Sequence, residues 1–235
     1  MRKEAFQLLH DMEDSWWYRA RKMVVSRVLD KFLDKKKNVL ILDFGAGFGG
    51  MFDTLSKYGE VDAFEPNKEA RNLCIRSGYQ KVFESGTDAL SKDNKIHLVA
   101  LFDVVEHVKD DVNLVSDLYK FLSVGGQVIV TVPAYQWLWG VHDIKHNHYR
   151  RYTRESITKL FEKAGFGIEY SSYWNTSLFI PVALTRMLGF SGESSFKMPK
   201  LLDSIFYHMV LIESLLIPLT FLPFGTGIVV ITKKI

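Results

Sequence analysis

The 235-residue sequence is poor in cysteine, in net charge and in uninterrupted hydrophobic runs, and each shortage excludes something. Its one cysteine, Cys74, rules out an intramolecular disulfide and fits a reducing compartment. A formal net charge of +3 is too small to argue for nucleic-acid binding, and no such partner is expected. The first residues are charged and lack the apolar core of a secretory signal, so a cytoplasmic location is expected. The most apolar stretch, residues 201–222, is long enough to cross a bilayer only if continuous. Asp203, His208, Glu213 and Pro218 interrupt it, which makes a buried span expensive. Internal repeats and low-complexity segments are absent as well.

What is present is a hydrophobic fraction of 47%, enough for the core of one domain over residues 1–235. Apolar residues at helical spacing run through residues 3–34 and include the dense patch Trp16-Trp17-Tyr18-Arg19-Ala20-Arg21. From Val39 onward short apolar runs alternate with amphipathic ones. Strands are expected over 39–43, 61–64, 81–84, 96–102, 127–132, 167–172 and 227–233. Helices are expected over 50–58, 68–77, 112–122 and, capped by Thr153 and closed by Gly165, up to Ala164. That alternation predicts an α/β fold with a doubly wound sheet and a ligand at the carboxyl ends of its strands. Residues 174–224 break the pattern with two apolar helical stretches, 177–188 and 201–222. They read as an insertion that caps the site, pairs two copies into a homodimer or makes peripheral contact with a membrane.

The densest signal is Asp43-Phe44-Gly45-Ala46-Gly47-Phe48-Gly49-Gly50, a buried strand running into a glycine-rich turn. Gly45, Gly47 and Gly50 satisfy the spacing of a dinucleotide fingerprint. Asp43, however, would face a pyrophosphate, which is repulsive, and suits a ligand carrying an ammonium and a sulfonium. Glu65, at the end of the second strand, can accept two hydrogen bonds from ribose hydroxyls.

This arrangement, with Phe102-Asp103-Val104-Val105-Glu106-His107-Val108 after the fourth strand, resembles the class I S-adenosylmethionine-dependent methyltransferases, small-molecule and quinone-type members included. The resemblance is specific over residues 39–133. It implies a Rossmann-like seven-stranded sheet of order 3-2-1-4-5-7-6 with strand 7 antiparallel. It also implies S-adenosylmethionine as cofactor, with S-adenosylhomocysteine as product. By the same resemblance Asp43, Gly45, Ala46 and Gly47 would hold the methionyl end, and Glu65 and Pro66 the ribose. Asp88, in Ser85-Gly86-Thr87-Asp88, would meet the adenine, and Phe102 and Asp103 would line the pocket. Residues 1–37 would form a helical lid, with Tyr18 and Arg21 reaching the cofactor.

The long loop after the fifth strand, rich in aromatic, His and Arg residues, supplies an acceptor pocket, with Tyr135, Trp139, His146, Arg150 and Arg151 as its candidates. His107 and His142 are the candidate proton acceptors. Asp103-x-x-Glu106-His107 is similar to an acid-x-x-Glu-His arrangement in some divalent-metal-dependent O-methyltransferases, but its first acid is Asp, and no metal is included in the expected cofactor set. The function expected is methyl transfer to a small or lipid-like acceptor, with oxygen the favoured atom. The alternatives are an NAD-dependent oxidoreductase and a non-catalytic cofactor-binding or membrane-associated protein.

Overall fold

In the computed structural model, residues 15–33, 39–91, 96–188 and 199–235 are described. Seven strands form one sheet: β1 (Leu40–Phe44), β2 (Glu60–Phe64), β3 (Val82–Phe83), β4 (Leu98–Phe102), β5 (Gln127–Pro133), β6 (Phe166–Trp174) and β7 (Gly227–Lys234). Their order is β3-β2-β1-β4-β5-β7-β6. β1 to β5 run parallel, and β7 lies antiparallel to both β5 and β6. This is the expected order, including the reversed strand 7.

Nine α-helices accompany the sheet among the described residues: α1 (Trp16–Phe32), α2 (Phe52–Leu55), α3 (Lys68–Ser77), α4 (Gly86–Ala89), α5 (Asp111–Phe121), α6 (Val141–Lys145), α7 (Arg154–Lys163), α8 (Phe179–Met187) and α9 (Lys200–Ser214). The central strands bury nearly every side chain, as a sheet covered on both faces requires. Local chemistry sets the helix ends. The Asn67 side chain accepts from the Glu69 and Ala70 amides at the start of α3, and Gly78, with φ of 109°, stops that helix. Thr153 and Ser156 form a reciprocal capping box at the start of α7.

Two helices are shorter than their sequence periods suggest. The glycine turn continues through Gly49, whose φ is 86°, so α2 starts only at Phe52. α9 ends at Ser214, four residues before Pro218, which lacks a backbone N–H. Beyond it the Leu222 amide donates to the Ser172 hydroxyl at 2.8 Å, which ties the chain back to β6. No helix among the described residues is long and apolar enough to cross a membrane. Of the helix expected over residues 3–34, residues 16–32 form α1, and residues 3–14 and 34 lie outside the described residues.

α1 packs Val24, Val25, Val28 and Leu29 into the core, and α9 holds its start in place. Asp203 accepts from the Trp16 amide at 2.8 Å and pairs with Arg19, while Trp16 meets Phe206 edge-on at 5.7 Å. α9 is therefore locked to the start of α1, and Trp16, Arg21 and Phe206 share one cavity with the strand-end residues Asp43, Phe64 and Phe102.

Candidate active site

A cavity of about 1270 Å³ opens at that end of the sheet. Asp43, at the end of β1, is only 2% exposed on its wall. The Tyr79 hydroxyl donates to Asp43 Oδ2 at 2.5 Å. Burial pushes the Asp43 pKa up to about 6, against the opposing pulls of Tyr79 and the Arg21 charge.

The turn that follows needs its glycines for two different reasons. A Cβ on Gly45 (φ 83°) would sit 2.8 Å from the Val104 side chain, so close packing on the segment after β4 demands glycine. A Cβ on Gly47 (φ 58°) would meet nothing within 4 Å, so a side chain there would project into open space on the cavity wall. Glu65 pins the turn: one carboxylate oxygen accepts from the Gly47 amide at 2.9 Å, the other from the Asn67 amide at 2.8 Å. Burial raises its pKa in opposition to those two hydrogen bonds.

Across the cavity, Arg21 of α1 is buried and its guanidinium pairs with Asp103 at 2.6 Å. Burial alone would lower the Arg21 pKa; the pair with Asp103 outweighs it and the net shift is upward. The guanidinium also lies 4.8 Å over Trp17 and 4.6 Å over Tyr18. Its Nε has no hydrogen-bond partner. Asp103 itself takes a left-handed φ of 56° and accepts from Thr131 at 3.2 Å, a backbone state common where a side chain must be aimed.

The histidines converge on the other wall. His107 follows a short 3-10 turn, Val105–His107, and meets His148 at 4.5 Å between ring centres. His142 and His146 lie 4.1 Å apart. Burial, then His148, lowers the His107 pKa to about 4; burial, then His146, lowers that of His142 to about 3. Both rings are uncharged at neutral pH. Glu106 is fully buried beside them with neither carboxylate oxygen partnered, and burial plus the Asp103 charge push its pKa far up. Ligand atoms of Glu106, His107 and His148 lie within 4.8 Å of one another.

Of the residues picked out in the sequence, Tyr18, Arg21, Asp43, Gly45, Ala46, Gly47, Glu65, Pro66, Phe102, Asp103, His107, His142, His146 and Arg151 line this one cavity. Four do not, for local reasons. α4 is a single turn that buries Ala89 and leaves Asp88 exposed, away from the wall. Tyr135 stacks on Tyr173 at 5.1 Å behind the cavity, and Trp139 lies outside it. Arg150 pairs with Asp111 at 2.8 Å and donates to the Lys109 carbonyl, also outside. Arg151 reaches the wall, and its guanidinium donates to Asp143 at 2.8 and 3.0 Å and to the Ala134 carbonyl. Burial would raise the Asp143 pKa; His148 and Arg151 outweigh it and hold it well below the usual carboxylate range.

Missed by sequence reasoning were Tyr79 as partner of Asp43, and the apolar wall of Trp16, Leu178, Val182 and Phe206. Tyr79 lies 36 residues from Asp43, with no local pattern to link them. In the sequence, Leu178, Val182 and Phe206 were legible only as part of an apolar insertion, and Trp16 only as part of an aromatic patch.

A family profile described as a methyltransferase domain matches residues 16–171. The chain belongs to the S-adenosylmethionine-dependent methyltransferase family. It is 25% identical over 162 residues to a Mycolicibacterium smegmatis protein named "Probable S-adenosylmethionine-dependent methyltransferase", matching 67% of this chain and 62% of that relative's length. In fold it is similar to an S-adenosylmethionine-dependent methyltransferase of Archaeoglobus fulgidus, with a TM-score of 0.55 at 16% identity over 91% of this chain and 94% of the other. It is also similar to Haemonchus contortus phosphoethanolamine N-methyltransferase 2, solved with S-adenosyl-L-methionine. There the TM-score is 0.54 at 18% identity, covering 88% of this chain and 51% of the other. Membership of this family sets aside the NAD-dependent oxidoreductase as a reading.

The methyltransferase cavity fits that cofactor on two observations: the open space beside Gly47, which any other side chain would fill, and the unpartnered Nε of Arg21, a donor for a carboxylate. The raised Asp43 pKa then gives an expected pH dependence. The folded protein alone favours protonated Asp43, so ionising it as pH rises through about 6 costs stability, and an ammonium group beside it recovers that cost. S-adenosylhomocysteine affinity should therefore fall about tenfold from pH 7 to pH 5. Calorimetric titration at both values checks this; an unchanged affinity would separate Asp43 from the ammonium.

Proposed function

We propose that this methyltransferase transfers a methyl group to a small, apolar or lipid-like acceptor, at an oxygen. The observation that carries the reading is the two-sided cavity. Asp43, Glu65 and the Gly45–Gly47 turn form its polar end, Leu178, Val182, Phe206 and Trp16 form an apolar wall, and His107 and His142 stand on the same surface.

The bound cofactor supplies an electrophilic methyl carbon on a sulfonium. Asp43 and Arg21 would orient its amino-acid end, and the two oxygens of Glu65 retain lone pairs for the ribose. Residues 15–33 would act as a lid, with Trp17, Tyr18 and Arg21 excluding water, and residues 174–224 as a cap over the acceptor. His107 and His142 are neutral and accept a hydrogen bond from the acceptor hydroxyl. Rings with such depressed pKa values are weak bases. The proton leaves as the new C–O bond forms, when the acceptor oxygen has become strongly acidic.

Alanine at His107 should then lower kcat by about 10²- to 10⁴-fold with little change in S-adenosylhomocysteine affinity. With the cofactor saturating, kcat of the parent protein should show no histidine step near pH 6.5. The test is an assay with labelled S-adenosylmethionine against apolar hydroxylated acceptors. A His107→Ala variant with intact turnover would remove the proton-acceptor role.

A second reading is favoured by the cluster of Glu106, His107 and His148. The Nδ1 of His148 faces Asp143 at 2.8 Å, which leaves its Nε2 lone pair for a cation, in the manner of a carboxylate–histidine pair behind a metal. Asp103, paired with Arg21, stands outside this group. Metal analysis of the purified protein and turnover after chelation separate the readings. Activity lost to chelator and restored by a divalent ion would give the cluster, rather than His107 alone, the acceptor oxygen.

A further inference from the structure

The insertion between β6 and β7 has two apolar faces with different destinations. On α8, Leu178, Val182 and Thr185 recur at helical spacing and line the cavity, while Ile180, Leu184 and Met187 recur on the other side and face outward. α9 repeats the division. Phe206 lines the cavity and Val210 is fully buried, whereas Leu201 and Ile212 point out. Ile180, Leu184, Met187, Leu201, Ile212 and Leu219, in the turns after α9, are between 53% and 77% exposed. Outward apolar groups of this size on both helices mark an interaction surface.

We propose that this face lies flat on an anionic lipid bilayer, so that the cavity between the two helices receives its acceptor from the lipid phase. The proposal rests on the lipid-like acceptor reading above and names the surface that presents it. Charge selects the occupant. The only acids in the described parts of 179–224, Asp203 and Glu213, both turn inward. Asp203 holds Trp16 and Arg19, and Glu213 accepts from the Ser177 amide and hydroxyl at 2.9 Å.

The cations stay at the rim. Lys200 is exposed at the start of α9, Lys31 reaches the Pro218 carbonyl at 3.4 Å, and Arg154 lies 4.5 Å over Phe221. Arg186 of α8 lines the cavity mouth. A twofold contact between two copies would bring these cations toward one another, with no outward carboxylate among the described residues of 179–224 to meet them. An anionic bilayer complements both the apolar centre and the basic rim. Since no described helix can span, the helices lie in the interface plane.

The test is flotation of the full chain with vesicles of phosphatidylcholine alone and with about 30 mol% phosphatidylglycerol. The double variant Leu184→Glu/Ile212→Glu, which changes no cavity-lining residue, is run beside it. The parent chain should float with the anionic vesicles about tenfold better than with neutral ones. The variant should lose at least about tenfold of that binding while keeping its melting temperature and S-adenosylhomocysteine affinity. A parent chain that does not float, or a variant that floats equally well, overturns the proposal. So does a parent chain that sediments as a dimer which the variant converts to monomer, since the occupant is then a second copy. Vesicle binding is read without cofactor. Docking with no methylated lipid product would therefore overturn the acceptor reading alone, and cofactor binding without docking would overturn this surface alone.

Discussion

Replacing Glu65 by alanine should lower S-adenosylhomocysteine affinity by about a hundredfold or more. The side chain acts twice. It is the carboxylate proposed for the ribose, and it is the clamp on the Gly47 and Asn67 amides that holds the β1 and β2 turns in register. Losing two charge-assisted hydrogen bonds costs about 1.5–3 kcal/mol each, before any contact to the ligand is counted. Glu65→Gln keeps one acceptor oxygen but turns an N–H toward one of those amides, so it should fall between alanine and the parent. Calorimetric titration, with circular dichroism as a check on folding, decides this. Affinity in Glu65→Ala within about threefold of the parent would mean that the turn is held by packing alone and that the ribose is bound elsewhere.

The second large effect is on stability. Arg21→Met strands the Asp103 carboxylate among apolar neighbours, and removing one partner of a buried pair costs about 3–5 kcal/mol. Asp103 is partly accessible to solvent, with 23% of its side chain exposed, and keeps its bond from Thr131, so the lower end is expected. For a domain of this length that is a fall in Tm of roughly 6–12 °C. The double variant Arg21→Met/Asp103→Asn should regain much of the loss, because Asn removes the stranded charge, tolerates the left-handed φ of 56° and keeps an acceptor for Thr131. It should not regain cofactor binding, since the guanidinium proposed to meet the cofactor carboxylate is gone. A single-variant shift below about 2 °C would show that water already screens the pair.

How far the sequence carried these assignments depended on the range of the contact involved. Asp43, Glu65 and Phe102 were legible because each stands at the end of a short apolar run, and strand ends converge in a parallel α/β sheet. The order of the sheet, with strand 7 reversed, followed from the family resemblance. Side chains on loops were less legible. Arg150 and Arg151 stand side by side in sequence, yet one turns to Asp111 and the other to Asp143. Asp88 has the right neighbours in sequence, but a one-turn helix rotates it to solvent. His148 joins Glu106 and His107 only because Asp143, five residues before it, fixes its ring. Nothing in the spacing of the histidines distinguishes that arrangement from a solvated loop.

The position of β7 bears on how the molecule is made. It follows β5 and β6 in the chain, yet lies between them in the sheet. Until residues 227–234 leave the ribosome, β5 and β6 each present an unpaired edge, and the apolar α8–α9 segment precedes the strand that will close the sheet behind it. A nascent chain at that stage exposes both strand edges and oily helices, the combination that draws aggregation or chaperone capture. Synthesis and folding of this last part are therefore coupled. A pause in translation before Gly227 should be more harmful to yield than one placed anywhere in the β1–β4 half.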